Sequence, residues 1–359
     1  MMVRLGDICK KETSNIAQKD LEGHNGNYPI YGASGFITNV DFYQQDNPYI
    51  AVVKDGAGIG RIMKLPAKSS VIGTMQYIIP NDNVDISYLA YAMEYMNLSK
   101  YFTGATIPHI YFKDYQKEEL SLPSLDEQRK IAAVLDKISD LIAKRRQQLD
   151  KLDEMVKAKF TERFGNPITN NRGWDSASFS EVAEFVLGST PKSYEPDYWD
   201  GDIKWITPAE LSDNTFEVFD SVRHITEAGV KAAGLKPFPA GTVIFSTRAP
   251  IGKTAIAGCE MYSNQGFKNF ICGERLNPVY LFSVLKIHKD YFIGLGTGAT
   301  FKELSKARLE KIAIGIPPMS LQEEFELFFR QTDKSKLAIQ KSLEKLEILK
   351  KALMQEYFG

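Results

Sequence analysis

The dominant feature of this 359-residue sequence is a long internal repeat. Residues 120–165 align without a gap to residues 314–359, an offset of 194 residues, and both segments end in Phe-Gly. Identical residues recur at both ends of the alignment, which two unrelated amphipathic helices would not explain. The period is also far longer than the roughly 20–50 residues of a solenoid repeat. The sequence therefore predicts a duplicated unit, in which each copy has a globular segment followed by a helix.

Both repeated segments have the apolar spacing of a long helix that packs along a partner helix. The first helix is predicted from Leu125 to Phe164, which at about 1.5 Å per residue is a rod of about 60 Å, and Gly165 and Pro167 end it. The predicted apolar seam of the first helix consists of Ile131, Leu135, Ile138, Ile142, Leu149, Leu152 and Val156. The predicted seam of the second helix consists of Phe325, Phe329, Ile339, Leu343, Leu346 and Leu353. Each helix is therefore expected to present one apolar face to a partner helix.

The two remaining segments, 1–124 and 166–319, have the mixed patterns of α/β domains. They share short stretches of sequence. For example, residues 103–106 and 297–300 both read Thr-Gly-Ala-Thr, at the same offset of 194 residues as the helices. Between such stretches the two segments differ freely. A chain that keeps its helices and varies its globular parts is expected to use the helices as a frame and the globular parts for recognition.

The composition excludes several classes of protein. With 43% hydrophobic and 25% charged residues, the chain is typical of a folded protein rather than a disordered one. Its three cysteines are odd in number and have no CxxC spacing, which argues against a disulfide framework or a zinc ribbon. The sequence has no secretion signal, and no run approaches the roughly 20 apolar residues of a membrane span. We therefore expect a soluble cytoplasmic protein that does not associate with a membrane.

The net charge of −1 excludes a strongly basic nucleic-acid-binding protein of the histone type. The charges are nevertheless unevenly distributed in the second globular segment. Residues 175–227 carry 12 acidic and three basic side chains, whereas residues 228–311 carry 12 basic and five acidic side chains. A basic face can therefore exist within a neutral total, although the two sets of charges can also mix in the fold.

No catalytic or metal-binding motif in the sequence is complete. Residues 277–280, Asn-Pro-Val-Tyr, lack the second proline of the motif with which amino-methyltransferases hold a flipped base, and we expect them to cap a helix. Residues 252–254, Gly-Lys-Thr, lack the earlier glycine of a phosphate-binding loop. The four histidines lie far apart and have no ligand spacing. The sequence therefore predicts no catalytic residue, no metal site and no bound cofactor.

Several short strings occur in an order that carries a family resemblance. They are residues 28–35 (YPIYGASG), 202–208 (DIKWITP), 126–128 (DEQ), 164–167 (FGNP), 173–174 (GW) and the two Thr-Gly-Ala-Thr segments. With these strings, the chain resembles the specificity (S) subunit of type I restriction–modification systems over essentially its whole length. One departure is at residues 320–322, which read Ser-Leu-Gln where the first helix has Asp-Glu-Gln, and this would weaken one docking contact.

The resemblance implies an α+β fold with a pseudo-two-fold internal duplication. In chain order, the implied parts are target-recognition domain 1 (1–124), spacer helix 1 (125–165), target-recognition domain 2 (166–319) and spacer helix 2 (320–359). The two long helices would pair as an antiparallel coiled coil. Independently of the resemblance, two similar units joined head to tail match two half-sites on a duplex. A rod of about 60 Å would limit their separation to about 18 base pairs at about 3.4 Å each.

The resemblance also implies a function. Each target-recognition domain would recognise one half of a bipartite, asymmetric site in double-stranded DNA. The helices would set the spacing and dock two methyltransferase (M) subunits, and restriction (R) subunits would join through the complex. The chain itself would be non-catalytic and hold no cofactor, with S-adenosylmethionine and ATP bound by the partner subunits.

Two other classes of function stay open from the residues alone. A free-standing bipartite DNA-binding regulator would also have two recognition domains, but it would not need helices of this length. A methyltransferase that acts alone would need a cofactor site, which the sequence does not contain. Co-purification with a methyltransferase subunit distinguishes the first class, and S-adenosylmethionine binding by the isolated chain distinguishes the second.

DNA recognition requires cations that bind phosphates and polar groups that reach base edges. The candidates lie mostly in predicted loops. Those of the first globular segment are Lys54, Arg61, Lys64, Gln76, Tyr77, Thr106, His109 and Lys113. Those of the second are Thr247, Arg248, Lys253, Asn264, Gln265, Lys268, Thr300 and Lys302.

Overall fold

The structure, a computed structural model, describes residues 1–104, 108–248, 250–298 and 302–359. They form two compact units: unit 1 comprises Met1–Gln147 and Gln340–Gly359, and unit 2 comprises Gln148–Ile339. Each unit therefore contains one globular segment and a part of each long helix. The four predicted domain ranges follow the chain rather than these units, and their bounds stay a prediction.

The described residues of unit 1 form three small β-sheets. Its strands are β1 (Met2–Arg4), β2 (Cys9–Thr13), β3 (Tyr28–Gly32), β4 (Gly35–Val40), β5 (Tyr49–Val53), β6 (Ile62–Leu65), β7 (Ser70–Val71), β8 (Met75–Pro80) and β9 (Glu119–Ser121). The sheets have the strand orders β1-β9, β2-β8-β5-β6 and β4-β3-β7. Strand β5 is apolar and buried at every position, as expected of an interior strand that is covered on both faces.

The helices of unit 1 pack into one apolar core. They are α1 (Leu5–Ile8), α2 (Ile86–Tyr95), α3 (Phe112–Tyr115) and the first part of the long helix α4 (Leu125–Phe164). Helix α2 begins after Asp85, whose carboxylate accepts a hydrogen bond from the backbone N–H of Tyr88 at 3.0 Å. The core joins Tyr88 of α2 and Leu135 of α4 to Met354 of the second long helix.

A buried glutamine joins α4 to the start of α2. The side-chain oxygen of Gln128 accepts a hydrogen bond from the backbone N–H of Asp85 at 2.8 Å. Its amide nitrogen donates to the backbone carbonyls of Asn83 at 3.2 Å and Pro123 at 3.0 Å. Every polar atom of this buried amide therefore has a partner, as an amide in a core requires.

The part of unit 2 that the structure describes also forms three sheets. Its strands are β10 (Asp175–Ser178), β11 (Ala183–Leu187), β12 (Trp199–Ile206), β13 (Glu217–Val218), β14 (His224–Ile225), β15 (Val243–Ser246), β16 (Thr254–Ala257), β17 (Tyr262–Ser263), β18 (Phe267–Cys272) and β19 (Ala313–Ile316). Their orders are β10-β19, β11-β18-β15-β16-β13 and β14-β12-β17. The acidic stretch of the sequence forms β10 to β14, and the basic stretch forms β15 to β18. Ion pairs between the two stretches, such as that of Lys289 with Asp213, neutralise part of their opposite charges.

The helices of unit 2 include short ones and parts of both long ones. They are the last part of α4, α5 (Phe179–Val182), α6 (Glu227–Ala233), α7 (Pro278–Ile287), α8 (Lys289–Gly294), α9 (Lys306–Glu310) and the first part of α10 (Met319–Phe358). The predicted helix cap is confirmed, because the side-chain oxygen of Asn277 accepts hydrogen bonds from the backbone N–H groups of Val279 and Tyr280 at the start of α7.

Gln322 of α10 binds the start of α7 with the same set of bonds that Gln128 makes in unit 1. Its buried side-chain oxygen accepts from the backbone N–H of Asn277 at 2.9 Å. Its amide nitrogen donates to the carbonyls of Arg275 at 3.0 Å and Pro317 at 2.7 Å. The repeated glutamine thus has one structural role in both units.

The two long helices, each 40 residues in length, contact each other within both units. In unit 1, Arg146 of α4 forms an ion pair with Glu347 of α10 at 2.7 Å, while Leu135, earlier in α4, shares a core with Met354, later in α10. The order of these contacts is inverted, so the helices run in opposite directions in this unit.

Unit 2 has the same inverted order. Asp153 of α4 accepts a 2.5 Å hydrogen bond from Lys336, whereas Phe160 packs on Phe325 with ring centroids 5.4 Å apart. Every residue of the two predicted seams is buried or half-buried. Among the described residues, no helix has both the length and the apolar character that crossing a bilayer requires.

Candidate nucleic-acid interface

The first candidate surface lies in unit 1, where two loops are joined by backbone hydrogen bonds. Thr103 and His109 exchange two N–H···O=C bonds of 2.8 Å each. The neighbouring loop is held to them, because the N–H of Ile110 donates to the carbonyl of Lys54 at 2.9 Å and that of Gly56 donates to Pro108 at 3.0 Å. We call this arrangement, residues 54–56 with 103–104 and 108–110, the unit 1 loop pair.

Unit 2 repeats the arrangement. Thr297 and Glu303 exchange N–H···O=C bonds of 3.0 and 2.9 Å, and the N–H of Leu304 donates to the carbonyl of Thr247 at 2.8 Å. An isolated β-bridge also joins Arg248 to Glu303, as one joins Asp55 to His109 in unit 1. Residues 247–248 with 297–298 and 302–304 form the unit 2 loop pair.

The side chains on the two loop pairs differ in charge. In unit 1, the carboxylate of Asp55 lies 2.5 Å from Nδ1 of His109 and also contacts the ammonium of Lys54. In unit 2, Nε of Arg248 lies 3.0 Å from the carboxylate of Glu303, and Nζ of Lys268 lies 3.5 Å from its other oxygen.

These contacts change the acidity of the unit 2 groups. Burial alone would raise the pKa of Glu303, but the hydrogen bonds and charges of Arg248 and Lys268 outweigh it and hold that pKa below its ordinary value. Burial lowers the pKa of Lys268, against the opposing effect of Glu303. Arg248 is half-exposed, so its remaining N–H donors are available to a phosphate or a base edge.

Three further candidates of unit 1 lie on its surface. Nη1 of Arg61 donates to the carbonyl of Ala33 at 2.7 Å, which joins the Gly-rich loop before β6 to the turn between β3 and β4. Lys64 is turned toward Ser87, at 2.6 Å, and is thereby held against α2. Lys113 is exposed and lies over the ring of Tyr111. Arg61 and Lys113 are available to a ligand, whereas Lys64 is engaged within the unit.

Gln76 and Tyr77 do not lie on the surface, and their predicted role as DNA contacts must be corrected. Both side chains are buried in β8. Gln76 donates to the hydroxyl of Tyr115, and Tyr77 donates to the side chain of Gln44 at 2.7 Å. Because β8 is covered on both faces at these positions, its polar residues face the interior.

Thr247 and Lys268 of unit 2 need a similar correction. Thr247 is fully buried; its backbone N–H donates to the carbonyl of Gly266, and its carbonyl accepts from the N–H of Leu304. Lys268 is buried beside Glu303. Both side chains are therefore held in the interior beside the unit 2 loop pair and are not presented to solvent.

Of the remaining candidates of unit 2, Lys302 belongs to its loop pair, whereas Lys253, Asn264 and Gln265 lie outside it. Nζ of Lys253 donates to the carbonyl of Pro208 at 2.9 Å, and the side-chain oxygen of Asn264 caps its own turn by accepting from the N–H of Gly266. Gln265 and Lys302 are exposed. Thr106 and Thr300 lie outside the described residues.

Sequence reasoning missed the acidic members of both loop pairs, Asp55 and Glu303. The predicted contacts were cations, amides and hydroxyls, which bind DNA directly, whereas these carboxylates position such groups. The acids cannot be found from spacing, because each meets its partner from a distant part of the chain. The described residues contain no group of three metal-ligating side chains.

Two domains with alike backbones and unlike loop side chains, each attached to a long helix, are typical of a recognition protein with two binding surfaces. The comparison with known proteins identifies its family. The chain belongs to the family of the type I restriction modification DNA specificity domain, whose model matches residues 1–154 and again residues 171–350. The suspected family is thereby confirmed, and this match does not favour a free-standing regulator.

Similar proteins include two from Methanocaldococcus jannaschii. The chain is 35% identical over 156 residues to the type I restriction enzyme MjaIX specificity subunit, which covers 43% of this chain and 36% of that protein. It is 23% identical over 296 residues to the putative type I restriction enzyme MjaX specificity subunit, covering 77% and 68% respectively. The match thus spans about a third of the first relative and about two thirds of the second.

Two solved structures are similar over their whole length. The S subunit of a type I restriction–modification system from M. genitalium has a TM-score of 0.64 at 15% identity, covering 100% of this chain and 96% of that chain. A chain from a study of complex assembly and conformational transition of the type I R-M system has a TM-score of 0.56 at 17% identity, covering 99% and 97%. At these identities the likeness shows the fold, and the predicted α+β class with two related domains is confirmed.

Proposed function

We propose that the chain is the DNA sequence-specificity subunit of a type I restriction–modification complex. In this proposal, the loop pair of each unit recognises one half of a bipartite, asymmetric site in double-stranded DNA. The chain contributes recognition and no catalysis. It acts in the cytoplasm, where its ligand lies.

One observation carries this proposal: the two loop pairs share three backbone hydrogen bonds and a β-bridge and carry different side chains. Asp55 and His109 occupy in unit 1 the places that Arg248 and Glu303 occupy in unit 2. Sequence in DNA is recognised by side chains that reach base edges, so a change of these side chains on a constant backbone changes the preferred bases. Two surfaces of different chemistry therefore favour two different half-sites.

We further propose that α4 and α10 pair as an antiparallel coiled coil that sets the spacing between the half-sites. The inverted order of their contacts within each unit and the burial of the predicted seams support this pairing. The equal roles of Gln128 and Gln322 support a pseudo-two-fold duplication.

The partners in this proposal are two methyltransferase subunits, with restriction subunits joining through the complex. S-adenosylmethionine and ATP are expected on those subunits. The large apolar side chains that remain exposed on the two long helices are the candidates for docking contacts, because contiguous groups of such side chains mark interaction sites. They are Val134, Leu141, Met155, Leu327, Leu337, Ile348 and Leu349.

Methylation mapping tests this function. The chain would be co-expressed with a type I methyltransferase subunit, and the modified bases of the DNA would be mapped. We expect the two proteins to co-purify and the methylated positions to define two unlike half-sites at a constant gap. The methyltransferase subunit expressed alone is the control. The absence of a complex, or the same methylation with and without the chain, would overturn the proposal.

A further inference from the structure

An exposed aromatic residue adjoins the candidate surface of unit 1. Phe36, at the start of β4, is 60% exposed, although aromatic rings carry much of the apolar area that folding normally buries. It follows directly on the turn of residues 32–35, and its ring edge packs on Tyr31 with centroids 6.1 Å apart. Water therefore surrounds most of a ring whose position is nevertheless defined.

The turn that carries Phe36 is fixed to the loop that contains Arg61. The guanidinium of Arg61 donates to the carbonyl of Ala33 at 2.7 Å. The same guanidinium lies against Gly58, where an added Cβ atom would come within 3.3 Å of it, and Gly58 has a positive φ of 88° that favours glycine. The turn that precedes Phe36 is thus bonded to the guanidinium of Arg61.

Unit 2 has an exposed aromatic residue beside its own candidate surface. Tyr194 is 70% exposed, and Nζ of Lys192 lies over its ring at 5.8 Å from the centroid. Its loop is held by two indole groups: Nε1 of Trp205 donates to the carbonyl of Ser189 at 2.9 Å, and Nε1 of Trp199 donates to that of Lys192 at 3.1 Å.

The Tyr194 loop is also joined to the candidate residues themselves. The hydroxyl of Thr190 bonds the side chain of Gln265. The backbone of Gly188 approaches Asn264 so closely that a Cβ atom at residue 188 would lie 1.9 Å from the carbonyl oxygen of Asn264. The turn of Asn264 and Gln265 leads in turn to Gly266, whose carbonyl accepts from the N–H of Thr247. The loop of Tyr194 is therefore connected to the unit 2 loop pair through the turn of Asn264 and Gln265.

We propose that Phe36 and Tyr194 contact DNA bases, one in each half-site, and contribute to the choice of sequence. This inference rests on the proposed function. An apolar ring can contact the methyl group of thymine or wedge against a flexible base step, and both contacts depend on the base sequence. The nearby cations, Arg61 and Lys192, neutralise phosphates on either side of the ring.

Binding measurements with the full chain test the proposal. Three duplexes would be used: one with both selected half-sites, one with the first half-site scrambled, and one with the second scrambled. We expect Phe36→Ala to bind the intact duplex about tenfold more weakly, equal to about 1.4 kcal/mol, and to bind the duplex with the scrambled first half-site like the wild type. Tyr194→Ala should likewise lose about tenfold in affinity, but only for duplexes in which the second half-site is intact.

Two further measurements separate a base contact from other roles. The dependence of binding on salt should stay unchanged in both variants, because neither removes a phosphate contact. Phe36→Trp and Tyr194→Phe keep an aromatic ring. Their affinities should therefore lie within about twofold of the wild type, a much smaller change than the tenfold loss expected for the alanine variants. Val222→Ala, at a position that is 83% exposed in unit 2, is the control. If Phe36→Ala is unstable, Phe36→Thr replaces it, because threonine favours a strand.

Wild-type affinity of both alanine variants for the intact duplex would overturn the inference, as would an equal loss on all three duplexes. If the wild-type chain itself does not distinguish the three duplexes, the proposed function fails and not this inference alone. A loss that is confined to the matching half-site supports both.

Discussion

The loop pairs of the two units share a backbone and exchange the places of acid and base. In unit 1 the carboxylate of Asp55 faces the imidazole of His109, whereas in unit 2 the guanidinium of Arg248 faces the carboxylate of Glu303. The backbone bonds around these pairs differ by no more than about 0.2 Å. The fold therefore determines where the side chains are presented, and the sequence of each loop determines their chemistry.

The positions that do not vary are those that hold each globular segment to the long helices. Gln128 and Gln322 are buried and make three equivalent hydrogen bonds each. Tyr88 and Tyr280 each donate a 2.6 Å bond to a backbone carbonyl of the last strand before a long helix. These contacts preserve the frame while the loops diverge.

The sheets differ at one edge. In unit 2, strand β13 pairs with β16, and the N–H of Ile256 donates to the carbonyl of Phe216 at 2.7 Å. In unit 1 the strand that corresponds to β16 is β6, and it is the edge of its sheet. Lys64 lies on β6, and Pro66 follows it directly. Lysine and proline are residues that protect an exposed edge from pairing, so the extra strand of unit 2 and these residues of unit 1 solve the same problem.

Shortening both long helices is expected to have the largest effect, because it acts on the frame that the two units share. Deleting residues 144–150 together with 340–346 removes one heptad from each helix and keeps the seam spacing. Each helix becomes about 10 Å shorter, equivalent to about three base pairs. We expect a binding-site selection to recover the same half-sites with a gap shortened by about three base pairs. An unchanged gap would contradict the role of the helices.

Removing one of the buried glutamines is expected to affect only the unit in which that glutamine lies. Gln128→Ala leaves the N–H of Asp85 and two carbonyls without their partner, which at about 1 kcal/mol each lowers the local opening free energy at the start of α2 by about 3 kcal/mol. Gln322→Ala should do the same at the start of α7. Hydrogen exchange of residues 83–90 and 275–282 measures both, with Gln147→Ala as the control on an exposed face of α4. Unchanged exchange in both variants would show that the bonds are unimportant.

The exchange of charge between the loop pairs predicts a smaller effect on binding. Arg248→Ala should weaken binding of DNA with the correct second half-site about tenfold at moderate salt, and it should lower the slope of log K against log salt by about one. Preference for the first half-site should not change. Unchanged affinity would count against this face of unit 2. Asp55→Asn is the matched variant in unit 1, and it should strengthen binding of the first half-site by releasing Lys54.

The smallest expected effect concerns pH. Since the pKa of Glu303 is held below its ordinary value of 4.5, the folded chain binds fewer protons there than the unfolded chain. The stability from this carboxylate is therefore complete above the ordinary pKa and is lost as the pH falls through the lowered one. Urea unfolding of the wild type and Glu303→Gln should differ most at neutral pH and converge in acid. A difference that is independent of pH would contradict this reasoning.

Features that depend on local sequence were predictable. Helix α4 has the predicted bounds of Leu125 and Phe164, because apolar spacing and the glycine and proline after it are local signals. The cap at Asn277 is local in the same way.

Features that depend on distant contacts were not predictable from the sequence. Gln76 and Tyr77 are consecutive residues of β8 and point to opposite faces of the sheet, and both faces are covered in the fold. The partners of Arg248 and His109 lie more than 50 residues away in the sequence. Spacing carries no information about such contacts, which arise only when the strands assemble.

A selection of binding sites from random duplex DNA, with the full chain and its methyltransferase subunit, tests the central claim most directly. The selection would be repeated with Arg248→Ala. We expect two unlike half-sites at a constant gap for the wild type, and loss of base preference in only one of them for the variant. A single continuous site, or equal loss of preference across the whole site, would contradict the claim that the two units recognise different half-sites.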